Sequence, residues 1–399
     1  MGTKPLEGIR VVELGTYVAV PSCGRMLAQL GAEVIKLEPL EGVPYRKIGH
    51  MTRNESVVFD MLNMEKKSVS IDAKSAVGNE YVLKLMSTAD IFITNMRDKS
   101  LERMGLSYDA LKDKNPKLVY AHFSGYGPKG ALKDLPGYDT TAFFARFGIL
   151  RDFVDPERPP ASLMPGLGDI ASGLALAMNI SLALVKARER GEGELIECSL
   201  NQVATWMMLM PMLYAQYGTS YARKDGEPPV TGSNATVRCA DNEYVLYACG
   251  TIQQCHSLFK AIGLDYLITD SRCKTLEEFD RNTPELFKEI ELAFLKHGAD
   301  QWVEILRAND IACERHRHTW EIATDEQLVA NGYIQPADYV NNDLMVPIPP
   351  IGFSSVTLAA TEKGPSLGQH TEEVLKTLGC SQEQFENMQR DGVIVAAPK

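Results

Sequence analysis

The feature of this sequence that most constrains its fold is a regular alternation of short apolar segments with longer amphipathic ones. Short runs rich in Val and Ile are typical of buried strands, and the segments between them have the apolar spacing of helices. The predicted strands are residues 9–14, 33–37, 68–71, 91–94, 118–123 and 195–199, and the predicted helices between them include 20–30, 76–88 and 108–114. This alternation predicts an α/β fold with a Rossmann-like, doubly wound, mostly parallel sheet.

The chain also changes character after residue 220, where a polar stretch with turn-forming residues predicts a crossing between domains. With 399 residues, of which 45% are hydrophobic, two domains can each bury a core. We expect a large Rossmann-like domain over 1–220, a smaller α+β domain over 225–325, and a C-terminal segment, 326–399, that returns to the large domain. Within that segment, 328–350 reads as irregular and 371–378 as the final helix.

Charge and cysteine usage narrow the class of protein. The net charge is −11 and no Lys or Arg tract is present, which argues against a nucleic-acid partner. The eight cysteines are scattered without a CxxC pair, as in a reduced cytoplasmic protein. The first ten residues do not resemble a secretory signal. The apolar run 203–215 contains Pro211 and is too short to span a membrane, so we predict a core helix there and no membrane partner.

A single carboxylate, Asp169, lies between glycines just before a long run of small and apolar residues, 170–185. This run predicts a buried helix that begins at or just after Asp169, with backbone N–H groups directed at the carboxylate. Two interpretations follow. Asp169 is an ordinary helix N-cap, which is the commoner use of such a residue, or it is a reactive group that the neighbouring glycines leave accessible to a ligand.

Other chemistries lack their usual signals. The first βαβ unit has no GxGxxG, which argues against a dinucleotide oxidoreductase, and no GxSxG elbow for a serine hydrolase occurs. Cys313, His316 and His318 are potential metal ligands within six residues, but no second cluster accompanies them, so a solvated basic segment is the favoured interpretation and no metal is predicted. Ligands of such sheets gather at the carboxyl ends of strands, here 15–19, 38–39, 95–97 and 124–127, which we expect to share one edge.

Short motifs occur in a fixed order along nearly the whole chain: PLEGIRVVEL (5–14), LGAEVIKLE (30–38), NMEKKS (63–68), LERMGL (101–106), SGYG (124–127), GD (168–169) and LGQHTEEVL (367–375). These motifs resemble those of the family III CoA-transferases, the group that includes formyl-CoA transferase and carnitine CoA-transferase. Each motif is weak, but their order is specific. The resemblance implies an interlocked homodimer that takes coenzyme A thioesters as substrates and has no permanently bound cofactor.

The same resemblance implies roles for individual residues. Asp169 matches the catalytic aspartate, which would form an acyl anhydride and then an aspartyl-CoA thioester. Val18 and Ala19 would line the reacting end of CoA. The residues that would hold the rest of CoA are Ile71, Lys74, Asn95, Met96, Arg97 and Arg103. Of these, Lys74 and Arg103 suit its phosphates.

Departures from the family pattern bear on the substrate. Ala19 replaces the glutamine of formyl-CoA transferase, Pro39 replaces an arginine, and 231–234 replaces a tetraglycine loop, so formyl or oxalyl transfer is disfavoured. The racemases of this fold carry a histidine base where this chain has Tyr138, and a tyrosine is a poor base near neutrality because its pKa is about 10. A CoA-binding protein that has lost the chemistry remains a further alternative.

The segment 133–146 is similar to the 2-hydroxyacyl branch of the family. That likeness implies that Ala19, Tyr138 and Asp139 contact the substrate. The expected reaction moves CoA to a 2-hydroxy acid, with (R)-2-hydroxyisocaproate favoured as acceptor, isocaprenoyl-CoA or isocaproyl-CoA as donor, and an aryl-lactate such as phenyllactate as the alternative acceptor.

Overall fold

In the computed structural model, the described residues are 3–48, 51–52, 55–152, 166–218, 231–337, 344–359 and 362–397. They divide into two compact units. The larger unit takes its described residues from Met1–Arg151, Ala161–Ser220 and Asp325–Lys399, and the smaller unit takes its own from Asp152–Pro160 and Tyr221–Thr324. The larger unit is therefore discontinuous in sequence.

Fourteen strands and sixteen α-helices are found in the described residues, together with short 3-10 turns and one π-helix, Asp139–Ala145. The strands are β1 (Arg10–Leu14), β2 (Glu33–Glu38), β3 (Met51–Thr52), β4 (Glu55–Ser56), β5 (Lys67–Ile71), β6 (Ile91–Thr94), β7 (Val119–Ser124), β8 (Glu194–Ser199), β9 (Asn234–Arg238), β10 (Tyr244–Ala248), β11 (Ala312–Arg315), β12 (Ile334–Pro336), β13 (Met345–Pro347) and β14 (Ile394–Val395). The helices are α1 (Ala19–Gln29), α2 (Val57–Asn63), α3 (Ala76–Met86), α4 (Asp98–Arg103), α5 (Tyr108–Leu111), α6 (Ile149–Asp152), α7 (Leu167–Arg190), α8 (Leu200–Met207), α9 (Leu209–Gln216), α10 (Ile252–Ala261), α11 (Leu276–Arg281), α12 (Thr283–Phe294), α13 (Ala299–Ala308), α14 (Glu326–Ala330), α15 (Thr371–Thr377) and α16 (Gln382–Arg390).

The centre of the larger unit is a seven-stranded sheet in the order β14-β5-β2-β1-β6-β7-β8. All neighbouring pairs are parallel except β14, which pairs antiparallel with β5. The chain builds outward from β1 in one direction through β2 and β5, then in the other through β6, β7 and β8. The point of reversal lies between β1 and β6, where open α/β sheets bind their ligands.

Side chains of successive strand residues enter opposite cores, as the period of a strand requires. Val11 packs in the core under α1 and α7, whereas Val12 packs in the core under α3, α15 and α16. Both faces of the sheet are thus covered by helices, and the predicted α/β, doubly wound architecture is confirmed.

The predicted core helix over 203–215 is wrong. The apolar run forms two short helices, α8 and α9, which meet at Met208, and α9 has no buried residue. Pro211 lies in the first turn of α9, where a missing N–H is tolerated, so the break precedes the proline. Apolar composition alone does not distinguish a core helix from one whose apolar side is left uncovered within a single chain.

The C-terminal segment is more ordered than expected. Instead of irregular chain, the described residues of 328–350 include the end of α14 and the antiparallel pair of β12 and β13. The helix α15 is followed by a further helix, α16, and by the edge strand β14. A capping box marks the start of α16, where the Ser381 hydroxyl accepts from the backbone N–H of Gln384 and the Gln384 side chain accepts from that of Ser381.

The smaller unit has a three-stranded antiparallel sheet, β11-β10-β9, packed against helices α10 to α13. Its core includes Tyr247, whose ring stacks on Phe294, and the buried Trp302. His316 and His318 follow the edge strand β11. His316 lies against Tyr244 and His318 stacks on Trp320, and no group of three potential metal ligands is found among the described residues.

Candidate active site

The loop after β1 and the loop after β6 meet at the carboxyl edge of the sheet. The Asn95 side chain joins them, because its Oδ1 accepts from the backbone N–H of Thr16 at 3.0 Å and its Nδ2 donates to the carbonyl of Thr16 at 2.9 Å. Both polar groups of the Asn95 amide therefore hold the first loop in place. This pins the chain at the point of the sheet where the strand order reverses.

Asp169 reaches this edge from α7. The helix begins at Leu167, earlier than expected, and its N-cap is Gly166, whose φ of 110° is the left-handed conformation that favours glycine. The N-cap interpretation of Asp169 is thus wrong. The side chain instead projects from the first turn of the helix, one turn before Gly173.

Two glycines bring α7 close to its neighbours. A Cβ at Gly173 would lie 2.1 Å from the Ser22 Oγ and 2.9 Å from the carbonyl oxygen of Ala19, so this glycine permits the contact between α7 and the start of α1. A Cβ at Gly168 would lie 2.7 Å from the Phe143 ring. Because residues four apart share a helix face, the contact at Gly173 directs Asp169 toward the amino end of α1.

The carboxyl of Asp169 lines a cleft of about 350 Å³. The other walls are the loops after β1, β6 and β7 and the segment 133–138. Burial, and in second place the nearby charge of Asp139, raises the pKa of Asp169 to about 7. The expected backbone donors do not reach the carboxylate, since within the described residues no hydrogen bond to it is found.

One backbone donor at the start of α7 binds Asp139 instead of Asp169. Its carboxylate is buried and accepts a hydrogen bond from the backbone N–H of Gly166 at 2.5 Å. It therefore anchors the residue that caps α7. The two carboxyl groups differ in environment. That of Asp139, which was predicted to contact the substrate, is buried, bound by a backbone donor and outside the lining of the cleft, whereas that of Asp169 faces the cleft without such a donor.

Three tyrosines lie together beside Asp169. The Tyr17 ring packs edge-on against Tyr138, with ring centres 5.5 Å apart, and against Tyr45, at 6.1 Å. A hydrogen bond to the Tyr138 hydroxyl raises the pKa of Tyr17, and burial raises the pKa of Tyr45. Tyr17 has a φ of 63°, which is uncommon for a residue with a side chain, and such conformations cluster at functional sites.

Comparison with known proteins identifies the family. The profile described as CoA-transferase family III matches residues 6–371, most of the chain. The chain belongs to CoA-transferase family III. It is similar to "(R)-2-hydroxy-4-methylpentanoate CoA-transferase" of Clostridioides difficile, with 36% identity over 98% of this chain and 99% of that protein. It is also similar to "Cinnamoyl-CoA:phenyllactate CoA-transferase" of Clostridium sporogenes, with 33% identity over 98% of this chain and 97% of that protein.

Solved structures of the same family share the fold. The structure of Rv3272 from Mycobacterium tuberculosis superimposes with a TM-score of 0.82 at 27% identity, covering 93% of this chain and 99% of that one. A CAIB/BAIF family protein from Brucella suis gives a TM-score of 0.81 at 27% identity, with 94% and 100% covered. This family III CoA-transferase is thus an enzyme of the transferase class, and CoA thioesters are its substrates.

The structure of this family III CoA-transferase brings some of the predicted site residues together. Those that line the cleft with Asp169 are Ala19, Asn95, Met96, Arg97 and Tyr138. Others lie elsewhere. Val18 and Ile71 are buried, Val18 as the N-cap of α1 and Ile71 in the core under α3.

The two predicted phosphate ligands are exposed and do not line the cleft. Lys74 follows β5, and the Arg103 guanidinium donates to the carbonyl of Lys99 and to the Ser100 hydroxyl on its own helix. The cations that do line the cleft are Arg97 and Lys133.

Sequence reasoning missed several lining residues of this family III CoA-transferase. Thr16 and Tyr17 lie in a segment that was predicted to reach the edge, but neither residue type pointed to a role there. His122, whose Nε2 is 2.9 Å from the carbonyl oxygen of Met96, is inside a predicted strand. Lys133 begins the segment 133–146, whose likeness to the 2-hydroxyacyl branch was recognised, but no role was predicted for this lysine.

Proposed function

We propose that this enzyme moves CoA from an acyl-CoA thioester to a 2-hydroxy carboxylic acid, with (R)-2-hydroxy-4-methylpentanoate, also called (R)-2-hydroxyisocaproate, as the acceptor. The names of the relatives from Clostridioides difficile and Clostridium sporogenes support a 2-hydroxy acid acceptor. The observation that carries the proposal is a partly buried carboxyl, Asp169, whose pKa is raised to about 7 and which faces a cleft at the carboxyl edge of the sheet.

In the proposed mechanism Asp169 is the nucleophile. A carboxylate oxygen attacks the thioester carbonyl of the donor, the C–S bond breaks, and CoA leaves as the thiolate, which gives an acyl-aspartyl anhydride. The thiolate then attacks the carbonyl carbon of Asp169. The donor acid departs as a carboxylate, and an aspartyl-CoA thioester remains.

The acceptor reverses these steps. Its carboxylate attacks the aspartyl-CoA carbonyl and expels the CoA thiolate, which forms a second anhydride. The thiolate attacks the acceptor's acyl carbon and releases the Asp169 carboxylate. The energy of the thioester is conserved at each stage, so the reaction needs no ATP, provided that water stays out of the cleft.

The environment of Asp169 suits this chemistry. A carboxylate that is poorly hydrated and accepts few hydrogen bonds is a better nucleophile than one in water, and a raised pKa reports that same destabilisation of the charged form. Its position in the first turn of α7 supplies a favourable dipole to the ionised form once a substrate arrives. The buried Asp139 keeps the helix start in place while Asp169 reacts.

Arg97 and Lys133 are the proposed partners of the CoA phosphates, because they are cations of the cleft wall. Asn95 and Met96 precede Arg97 in the loop after β6 and line the same cleft. The family resemblance also assigns CoA contacts to four residues that do not line the cleft, and these contacts stay proposals: Val18, Ile71, Lys74 and Arg103.

The acceptor side chain is proposed to lie against Ala19 and the tyrosines. Ala19 leaves space next to Asp169, and the Tyr17 and Tyr138 rings offer apolar faces with hydroxyls at their rims. Such a wall suits a branched alkyl group and equally an aryl group, so phenyllactate is the second acceptor to test. The 2-hydroxyl of either acid would bond to a tyrosine hydroxyl.

We also propose that the enzyme is a homodimer, as the family resemblance implies. The support is an apolar surface on the larger unit formed by the outer sides of α7, α8 and α9, where Met178, Leu182 and Trp206 are exposed. A patch of this kind marks a surface that another molecule covers. The eight cysteines are all free thiols, which supports a cytoplasmic location.

The test is an ATP-free exchange assay with purified protein. A matrix of acyl-CoA donors and carboxylic acid acceptors, including (R)- and (S)-2-hydroxy-4-methylpentanoate and phenyllactate, should give new thioester for one configuration of the 2-hydroxy acids. Asp169→Asn should abolish exchange while the circular dichroism spectrum stays that of the wild type. Exchange by the Asn variant, or none by the wild type with any acid, contradicts the proposal.

The remaining alternatives give different results in the same samples. A racemase incorporates deuterium from solvent at the α-carbon of an acyl-CoA when no acceptor acid is present. A CoA-binding protein without chemistry binds CoA in calorimetry and yields no new thioester. Mass spectrometry of the wild type with an acyl-CoA should show a covalent CoA adduct on Asp169 that hydroxylamine removes.

A further inference from the structure

Three charged side chains lie fully buried beneath the loop that faces Asp169. Glu13 of β1 accepts from the Lys36 Nζ of β2 at 2.7 Å through one oxygen, and from the Lys66 Nζ at 2.7 Å through the other. All three side chains have 0% exposure. We call Glu13, Lys36 and Lys66 the buried triad. Charges are rarely kept in a core, because the loss of hydration offsets much of their attraction.

Each lysine of the buried triad also donates to one backbone carbonyl next to the segment 16–20. The Lys36 Nζ donates to the carbonyl of Gly15 at 3.0 Å, and the Lys66 Nζ donates to the carbonyl of Pro21 at 2.8 Å. These two carbonyls lie on either side of the segment 16–20. Apolar side chains of the same volume would fill the space but could not bind either carbonyl.

The segment between those carbonyls is the part of the loop whose conformation requires support from neighbouring residues. It contains Tyr17, whose φ of 63° is unfavourable for a residue with a Cβ and persists only where the surroundings impose it. It also contains Ala19, where α1 begins and where α7 makes its close approach. Both residues line the cleft with Asp169.

The neighbouring helix is shaped to admit the buried triad. A Cβ at Gly24 of α1 would lie 2.0 Å from the Glu13 Oε2, so the helix passes over the carboxylate only because this position has no side chain. Lys66 also donates to the Asn63 Oδ1 at 3.0 Å at the end of α2. Burial raises the pKa of Glu13, but the charges of Lys36 and Lys66 outweigh it and leave that pKa lowered.

From this geometry we propose that Glu13, Lys36 and Lys66 are positioning residues: they clamp both ends of the segment 16–20 and so fix Tyr17 and Ala19 against Asp169. None of the three touches the cleft. Their effect on catalysis is carried by the two backbone carbonyls. The loss of the buried triad should allow the segment to relax toward ordinary φ values and to withdraw from the reacting carboxylate.

The chain provides a matched control at the opposite end of the same strands. Glu33, at the start of β2, accepts from the Arg10 Nε at 2.7 Å and from the Lys67 Nζ at 2.8 Å. It too is one acid bridging two bases across β1, β2 and β5, but it lies at the amino edge of the sheet and is half-buried. Glu33→Gln therefore breaks a similar ion triad without touching the loop.

The experiment compares Glu13→Gln with Glu33→Gln, and with the apolar replacement Glu13→Leu/Lys36→Met/Lys66→Met. The apolar version is included because such a replacement of a buried ion cluster is often well tolerated by the fold. We measure kcat and KM for exchange, and hydrogen exchange at the amides of the segment 16–20. The kinetic measurement depends on the proposed function, whereas amide exchange does not, so the two can fail separately.

Displacement of a reacting wall by about an ångström lowers kcat on the order of 10²-fold. We expect that loss in the folded Glu13 variants, with KM for acyl-CoA changed by less than about threefold because the CoA cations lie on other loops. Their amides at 16–20 should exchange faster, while Glu33→Gln stays within about twofold of the wild type in both measurements. Folded Glu13 variants with wild-type kcat and wild-type amide protection would overturn the proposal. It would also be overturned if neither Glu13→Gln nor the apolar replacement folded, because the buried triad would then determine the fold alone.

Discussion

Asp169 and Asp139 show how two carboxyl groups that interact electrostatically occupy different environments. Asp139 is the more deeply buried of the two, but it accepts a hydrogen bond from the Gly166 N–H. At Asp169, burial destabilises the charged carboxylate, and no hydrogen bond within the described residues offsets that destabilisation. The charge of Asp139 adds to the effect at Asp169. The proposed nucleophile is thus the carboxyl that no hydrogen bond from a described residue stabilises.

This difference predicts a pH dependence. Because the nucleophile must be ionised, kcat/KM should rise with pH through a pKa of about 7 and level off above it. In Asp139→Asn the amide oxygen can still accept from Gly166, but the negative charge is gone, so the midpoint should move to lower pH. Asp109→Asn, which removes an exposed carboxylate on α5, is the control. An unmoved midpoint in Asp139→Asn would show that its charge does not act on Asp169.

Stability should change in the opposite sense to activity. The ordinary pKa of an aspartate is 3.8 and that of folded Asp169 is about 7, so the unfolded chain loses its proton first as the pH rises. Between these values the folded state binds the extra proton, and stability falls with rising pH by up to about 4 kcal/mol. Asp169→Asn removes this penalty.

We therefore expect Asp169→Asn to be inactive but more stable than the wild type at pH 8, by on the order of 1 to 4 kcal/mol. The difference should shrink as the pH falls toward 4, where the wild-type carboxyl is protonated in the folded state. Urea unfolding of both proteins at the two pH values measures it. An Asn variant that is less stable at pH 8 would contradict the assignment of a destabilised carboxylate.

Among the secondary-structure elements, the pair α1 and α7 determines where Asp169 points. The two helices approach closely at Gly173, and the Asp169 carboxyl, the proposed nucleophile, is one turn away on the same face. A side chain at this position must push α7 away from the Ala19 carbonyl, which is backbone and cannot rotate aside. Spacing of the two helices and placement of the nucleophile are therefore linked.

Gly173→Ala should lower the free energy of unfolding by about 1 to 3 kcal/mol through overpacking, and kcat should fall with it. Gly352→Ala is the matched control, since a Cβ there meets nothing within 4 Å and its φ is not left-handed, so stability should stay within about 0.5 kcal/mol. Denaturant unfolding and exchange kinetics give both values. A Gly173→Ala protein with wild-type kcat would show that helix spacing does not control the nucleophile.

The sequence predicts best those elements whose residue pattern fits only one type of secondary structure. The six parallel strands follow from short Val- and Ile-rich runs, and their ends meet as expected. The start of α7 was placed too late because Gly166 caps it through its backbone conformation, which leaves no polar signature. The break between α8 and α9 could not be seen either, because both helices are apolar on their outer sides.

Within the site, sequence reasoning found Asp169 through its glycine neighbours and the family resemblance. It could not find Tyr17, because nothing local predicts a left-handed tyrosine. The contacts that hold its loop come from Lys36 of β2, from Asn95 just after β6 and from Lys66 just before β5. The hydrogen bonds between the Asn95 amide and Thr16 were likewise not predicted. Such features depend on side chains distant in sequence, which only the folded chain brings together.

At the scale of the whole molecule, α7 exposes large apolar side chains on its outer side. It is the one helix in the described part of the chain that is long and apolar enough to cross a membrane, with 44% of its most apolar window buried inside the structure. Met178, Leu182 and Val185 form an exposed stripe along it. A groove of about 630 Å³, lined by Met178 together with Trp206 and Met212, joins this stripe to α8 and α9.

A second copy of the chain is the partner proposed for this surface, and Trp206 is its most informative residue. The Trp206 side chain lies at the groove and is 76% exposed, so a large aromatic group would be fully desolvated by a partner. Trp206→Glu should convert the dimer to monomer in sedimentation velocity and reduce exchange activity. Trp320→Glu is the control, because Trp320 is 71% exposed on the smaller unit, far from this surface in sequence, and should leave the dimer intact. A wild-type protein that stays monomeric at high concentration, or that binds phospholipid vesicles through Trp206, would assign the surface to another partner.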